Sequence, residues 1–242
     1  MKTFDNESFQ IEYLGNVPSS RVILYGNYFK CKSILHKIKK QRNWINSSGK
    51  DDLPPDFYSD KYHLMMDAMA INDVEYIRDG KIINDQKKRQ HEMMNQYFGN
   101  GYRKNENDLR VFYQYNTSLD NHTYDYYMSS FKRVVENHNS KVENYEINHP
   151  GYKTIFYIFD DSLEYYETFG AKTVLHICFN DVYFVNIIKQ LNVDFVIWFS
   201  YMKYVENSKN KEIKIPLVAI YDVKNIKGKF VDYSKYNLQP IK

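Results

Sequence analysis

Three apolar runs in this chain, "KTIFYIF" (153–159), "DFVIWFSYM" (194–202) and "PLVAIYDV" (216–223), show no alternation of apolar and polar residues. A strand with one face in water alternates, and one that does not is buried on both faces. Strands of that kind need helices above and below them, and the sequence between the runs supplies candidates. In "YDYYMSSFKRVVENHNSKVENY" (124–145), Tyr124, Tyr127, Met128, Phe131, Val134, Val135 and His138 recur at three- and four-residue steps. That spacing predicts one long amphipathic helix. "DVYFVNIIKQL" (181–191) predicts a second.

The remaining segments extend the same rhythm. "RVILYGNYFK" (21–30) reads as a strand, and "CKSILHKIKKQRNWI" (31–45) as a basic amphipathic helix on Ile34, Leu35, Ile38 and Ile45. "HLMMDAMAI" (63–71) suits helix by propensity and strand by context. Asp79-Gly80 is a type I′ turn pair that predicts a hairpin between Val74/Tyr76 and Ile82/Ile83. A helix is expected in 85–101 and a strand in 109–117. "SLEYYETF" (162–169) reads as a short helix capped by Gly170, and "TVLHICF" (173–179) as a strand. Strands interleaved with helices imply a mixed α/β fold, a central mixed β-sheet flanked by helices. No repeat or linker divides the chain, so a single domain over 1–242 is expected, with 1–20 more loosely packed.

Composition supports a folded core without staples. Of 242 residues 43% are hydrophobic, and 24 Tyr with 15 Phe supply ample apolar area to offset ordering entropy. Two cysteines, Cys31 and Cys178, exclude a disulfide framework and a cysteine-based zinc site, and suit a reducing compartment. The first residues contain no apolar signal core, and no apolar run approaches the roughly 20 residues of a spanning helix. A cytoplasmic protein without a membrane partner is expected. The 33 basic residues against 30 acidic ones give only +3, which permits a local basic face without arguing for a general nucleic-acid binder. Lys37, Lys40 and Arg42, with Lys87, Lys88 and Arg89, are the candidate phosphate contacts; the plainer reading is a solvated helix face.

Two carboxylate groups carry candidate chemistry. In "PPDFYSDKYHLMMDAM" (54–69), Asp56 and Asp67 could hold Mg²⁺ from neighbouring strands, because that ion takes hard oxygen ligands. The plainer reading makes Asp56 a cap and the methionines core. Near the C-terminus, Asp222-Val-Lys224 has a D-x-K spacing, which puts both side chains on one side of a continuing strand. Asp194 joins them if the strands of 194–202 and 216–223 form an antiparallel pair. The plainer reading is that charges mark where a strand leaves the core. His63 and Asp67, four apart, share a face only if that segment is helical; His176 reads as a core residue. No HExxH, glycine-rich phosphate loop or G-x-S-x-G occurs.

The order basic helix, strand, strand, long helix, buried strand resembles the core of the restriction-endonuclease-like nucleases, with their PD…(D/E)-x-K edge. That resemblance implies Mg²⁺-dependent cleavage of nucleic acid, with Pro55-Asp56 and Asp67 at the first two positions. The lysine position holds Met69, which can neither donate a proton nor steady an anion. "PPDFYSDKYHLMMDAMAIND", "HPGYKTIFYIFDDS" and "VDFVIWFSYMKY" with "IPLVAIYDVKNI" together resemble a group of uncharacterised proteins from AT-rich bacterial and mobile-element genomes. That likeness implies a role in phage or mobile-element biology and assigns no catalytic residue. The functional expectation is therefore a nuclease-like protein, active or degenerate. The alternative is a non-enzymatic protein that binds another protein in phage–host conflict, and a third reading is small-ligand binding at the sheet edge.

Overall fold

The computed structural model describes residues 14, 17, 19–47, 55–71, 75–78, 81–84, 124–160, 162, 165–169, 172–200, 205–206, 212–213, 218–236 and 239–240, with backbone alone in 75–78, 81–84, 165–169, 172–176, 205–206, 212–213 and 239–240. The strands are β1 (Val22–Tyr25), β2 (Ile45–Asn46), β3 (Phe57–Ser59), β4 (Leu64–Ile71), β5 (Glu75–Arg78), β6 (Lys81–Asn84), β7 (Lys153–Asp160), β8 (Tyr165–Phe169), β9 (Lys172–His176), β10 (Phe195–Phe199), β11 (Val205–Glu206), β12 (Glu212–Ile213), β13 (Val218–Asp222) and β14 (Gln239–Pro240). The α-helices are α1 (Tyr28–Ile38), α2 (Tyr124–Asn139), α3 (Val142–Asn148) and α4 (Val182–Lys189).

Seven strands form one mixed sheet in the order β1-β13-β10-β7-β4-β3-β2. Its centre, β4, β7 and β10, is parallel; β13 runs antiparallel to β10 and parallel to β1. The β3–β4 hairpin and β2 make an antiparallel flank. As expected from its unbroken apolar run, β7 is buried on both faces. Ile155, Tyr157 and Phe159 pack towards Cys31, Ile34, Leu35 and Ile38 of α1. Phe156 and Ile158 pack into the opposite cluster, with Tyr127, Phe131 and Val135 of α2, Tyr145 of α3 and Phe184 of α4. Leu14 and Val17 are also buried in the α1 layer, so parts of the N-terminal segment belong to the core.

Several expectations change at their boundaries. The first helix starts earlier and ends at Ile38, where the chain tightens into a 3₁₀ turn at Gln41–Asn43 and Ile45 enters the edge strand β2. Asn27 caps this helix by accepting from the Lys30 amide at 3.1 Å. The ambiguous run 63–71 is strand β4: lying between β3 and β7, it gains hydrogen bonds on both sides, and tertiary pairing overrides the helix propensity of Met and Ala. The hairpin predicted around Asp79-Gly80 is β5–β6. The short helix expected at 162–169 is instead strand β8, paired with β9 and β14, which suits the strand preference of its Tyr, Thr and Phe residues. The helix of 85–101 and the strand of 109–117 lie outside the described residues. Among the described residues no helix is long and apolar enough to cross a membrane.

Gly26 carries the chain from β1 to α1 with φ +129°, and a Cβ there would stand 2.8 Å from the Asp222 Cβ. Gly26→Ala therefore meets both strain and a clash, and is expected to lower stability by about 1–3 kcal/mol; a urea midpoint no lower than wild type would contradict this. A second expectation comes from buried tyrosines. Burial pushes the Tyr25 hydroxyl up to about 12 and the Cys31 thiol up to about 11, and holds Tyr157 and Tyr221 well above the ordinary tyrosine value. A group whose folded pKa is raised contributes stability that is whole below its unfolded value and lost as pH climbs towards the folded one. Urea midpoints should stay flat to about pH 8, then fall steadily up to about pH 12; a flat profile across that window would show these groups to be accessible.

Candidate acid–base site under the helical layer

The register of the β3–β4 hairpin pairs Phe57 with Met66, so one step outward Asp56 stands opposite Asp67. Asp56 reaches β4 through its side chain. Its Oδ2 accepts from the Ala68 amide at 2.8 Å, while its carbonyl accepts from the Ser47 amide. The side chain thus completes the strand pairing where β3 begins and draws its carboxylate to the side of β4.

Asp67 has the same parity as Met65 and Met69, and so faces α2 and α3. It is buried, and its Oδ2 takes two hydrogen bonds: His138 Nδ1 at 2.6 Å and the Tyr145 hydroxyl at 2.8 Å. The sequence predicted one helix running through both partners. The structure breaks it after "NHNS", where Asn137, Asn139 and Ser140 compete for backbone hydrogen bonds and favour helix ends. Ser140 Oγ turns back to the Asn137 carbonyl, and α3 restarts at Val142. His138 in the last turn of α2 and Tyr145 in α3 thereby converge on one oxygen.

The chemistry of this trio follows from hydrogen-bond polarity. A carboxylate only accepts, so the His138 Nδ1 carries a proton, and the Tyr145 hydroxyl donates beside it. In the neutral ring the lone pair then resides on Nε2, which has no hydrogen-bond partner among the described residues. The His138 side chain keeps 23% of its surface exposed against 4% for Asp67. An oriented, partly accessible histidine backed by a buried carboxylate is the arrangement of a general base. Burial, with the Asp67 and Asp56 charges beside it, holds the Tyr145 hydroxyl well above the ordinary tyrosine value, so it remains a donor.

The second sequence candidate divides. β10 and β13 are antiparallel as expected, and Lys224 Nζ lies 3.7 Å from Asp194 Oδ1. Asp194 Oδ2 accepts from the Thr154 amide at 3.1 Å. Asp222, however, alternates with Val218 and Ile220 towards α1, whereas Asp194 has the parity of Val196 and Trp198 on the other face. β13 ends at Asp222 and turns into a 3₁₀ segment at Val223–Asn225, so the D-x-K pair does not ride one strand. The buried Asp222 carboxylate accepts from Asn225 Nδ2 at 3.0 and 3.1 Å and lies 4.0 Å from Lys30 Nζ.

Of the basic candidates, Lys37 is half-buried with its ammonium 5.6 Å from the Tyr62 ring centroid, and Lys40 and Arg42 are exposed. Lys87, Lys88 and Arg89 lie outside the described residues, as does the side chain of His176. His63 sits in the turn before β4 with φ +49° and makes no shared helical face with Asp67.

Sequence reasoning missed His138 as a partner of Asp67, and missed Tyr145 entirely. The polar run ending the long helix was the available signal. It also missed Asp160, fully buried at the end of β7, which accepts from Tyr127 Oη (3.0 Å), Trp198 Nε1 (2.9 Å), Ser162 N (2.9 Å) and Ser162 Oγ (2.5 Å). These donors are all neutral. They come from α2, β10 and the chain just past β7, so this carboxylate ties layers together.

The class that fold and site define is a mixed α/β protein with a carboxylate–histidine pair on the face of the sheet that α2 and α3 cover. Comparison of the chain with family models, curated proteins and solved structures finds no match in any of the three.

Replacing Asp67 by Ala leaves the buried Tyr145 hydroxyl without its acceptor. The expected cost is about 1–3 kcal/mol of stability. A double-mutant cycle of Asp67→Ala with Tyr145→Phe should show the two losses to be non-additive, and simple additivity would mean the hydrogen bond contributes nothing.

Proposed function

We propose that this protein is a nuclease-like hydrolase of phosphodiesters in nucleic acid, with His138 as general base, Asp67 as the carboxylate that orients it, and Asp56 as the second carboxylate. The observation that supports this most is the meeting of Asp67 with His138 at 2.6 Å, directly across the hairpin from Asp56. In the nuclease pattern that the sequence resembles, a lysine follows the second carboxylate; here Met69 is buried and His138 comes from another element to the same carboxylate.

The donor set bears on Mg²⁺. Among the described residues no three His, Cys, Asp or Glu side chains converge as a metal cage. Mg²⁺ is ordinarily held by one or two carboxylates with waters and substrate phosphates completing the shell, so Asp56 and Asp67 fit as its protein ligands. When bound there the ion would offset charge building on the phosphate. His138 Nε2 is the group able to take a proton from water, and Asp67 holds the ring for it.

A labelled single-stranded oligonucleotide incubated with Mg²⁺ or Mn²⁺ should be cut by the wild type. Loss of the oriented base is expected to slow cutting by about 10²–10⁴-fold in His138→Ala, and Asp67→Asn should fall with it. Asp222→Ala, on the other sheet face, should cut at the wild-type rate. No cleavage by wild type under any of these conditions, or undiminished cleavage by His138→Ala, rejects the assignment.

A second reading, binding to another protein without catalysis, is favoured by the rings of Tyr28 and Phe29 at the start of α1, which are 54% and 81% exposed.

A further inference from the structure

The turn that joins β3 to β4, residues 60–63, straddles the end of the sheet. On the α1 side Tyr62, like Trp44, packs against the core cluster, and its hydroxyl accepts from Asn43 Nδ2 at 2.7 Å. Two ammonium groups approach this one ring, Lys37 at 5.6 Å and Lys61 at 5.9 Å from its centroid. Exposed Lys40 and Arg42 lie just beyond the end of α1. Among the described residues none of these four cations forms a salt bridge. The acidic residue of the turn, Asp60, is taken by the Tyr152 hydroxyl at 2.8 Å. Like charges gathered on one ring repel each other, and an anion placed among them removes that repulsion.

On the other side of the same turn four rings stand in file. His63 lies 5.2 Å from Tyr152, Tyr152 lies 5.2 Å from His149, and His149 lies 4.4 Å from Tyr58, with interplanar angles between 26° and 44°. Tyr58 pairs with Met65 on β4, two residues before Asp67, so the file runs from the turn towards the acid–base site. Its outer end is the exposed His63, whose left-handed backbone at φ +49° fixes the ring at the tip of the turn. Histidine is among the residues that tolerate this conformation.

We propose that this turn is a binding surface for single-stranded nucleic acid: phosphates lie along Lys37, Lys40, Arg42 and Lys61, and an unpaired base stacks on the open face of His63. The inference rests on the reading of the protein as a nucleic-acid hydrolase and names its substrate class. A duplex keeps its base faces against one another, so only a single strand offers them to the file of rings. The cations alone would accept either form, and the rings make the selection.

Binding is measured without turnover, by fluorescence anisotropy of a labelled oligothymidylate and of a duplex of equal length in EDTA. Wild type should bind the single strand at least about tenfold more tightly, the scale of one stacked base. The Lys37→Glu/Lys61→Glu pair should weaken both complexes and flatten the salt dependence of the single-strand complex by about 1.4 for two phosphate contacts. His63→Asn, which keeps the backbone conformation and removes the ring's stacking face, should erase the preference for single strands with an unchanged melting temperature. Equal affinity for the two forms, no binding, or indifference to the lysine substitutions overturns the proposal, and so does binding of an acidic polypeptide in place of the oligonucleotide. Single-strand binding without cleavage would uphold this surface while removing the hydrolase reading; cleavage with no strand preference would do the reverse.

Discussion

The fold depends on the two-sided burial of its central strand. β7 has every residue from Thr154 to Asp160 out of solvent, so neither face of the sheet is complete without a helical layer. α1 covers one side, and α2, α3 and α4 the other. The strand also ends on a charge: the Asp160 carboxylate accepts from Tyr127 and Trp198, groups belonging to a helix and to a neighbouring strand. A buried carboxylate with too few donors would favour unfolding, so these contacts make the correct docking of α2 onto β10 a condition of closing the core.

The same helical layer creates the candidate acid–base site. Asp67 lies on the face that α2 and α3 cover, and its burial would be costly without donors. Two donors reach it because the helix breaks between them. Stability and chemistry therefore share an atom: Oδ2 of Asp67 satisfies a buried hydroxyl and fixes the proton on His138. On the hairpin's other strand, Asp56 spends one carboxylate oxygen on the Ala68 amide, which closes the ladder and holds the two acids side by side.

How much of this could be read beforehand differed from element to element. The buried strands, α4 and the greater part of α1 and α2 were legible because their apolar spacing reports burial directly. The helix expected at 162–169 was lost because Tyr, Thr and Phe at mixed spacing take the structure of whatever strand lies alongside them. At the site, Asp56 and Asp67 were visible as a pair, and their partners were not. His138 and Tyr145 meet Asp67 across 71 and 78 residues of chain, and nothing local in "NHNS" says which carboxylate the next turn will face. The failure of Asp194, Asp222 and Lys224 to assemble has an equally local cause, since a single residue of parity sends Asp222 to the far face of the sheet.

The neighbour of β1 in the sheet is β13, and Val22 pairs with Val218. β1 stands at the sheet's edge and has no other strand partner among the described residues. On a ribosome the first strand must therefore wait while nearly two hundred residues are synthesised, because loop closure of that length precedes any of its ladder hydrogen bonds. Meanwhile β4 and β7, far closer to each other in sequence, can already pair. The order of assembly runs from the middle outward, and β1 is bound to be among the last strands to dock.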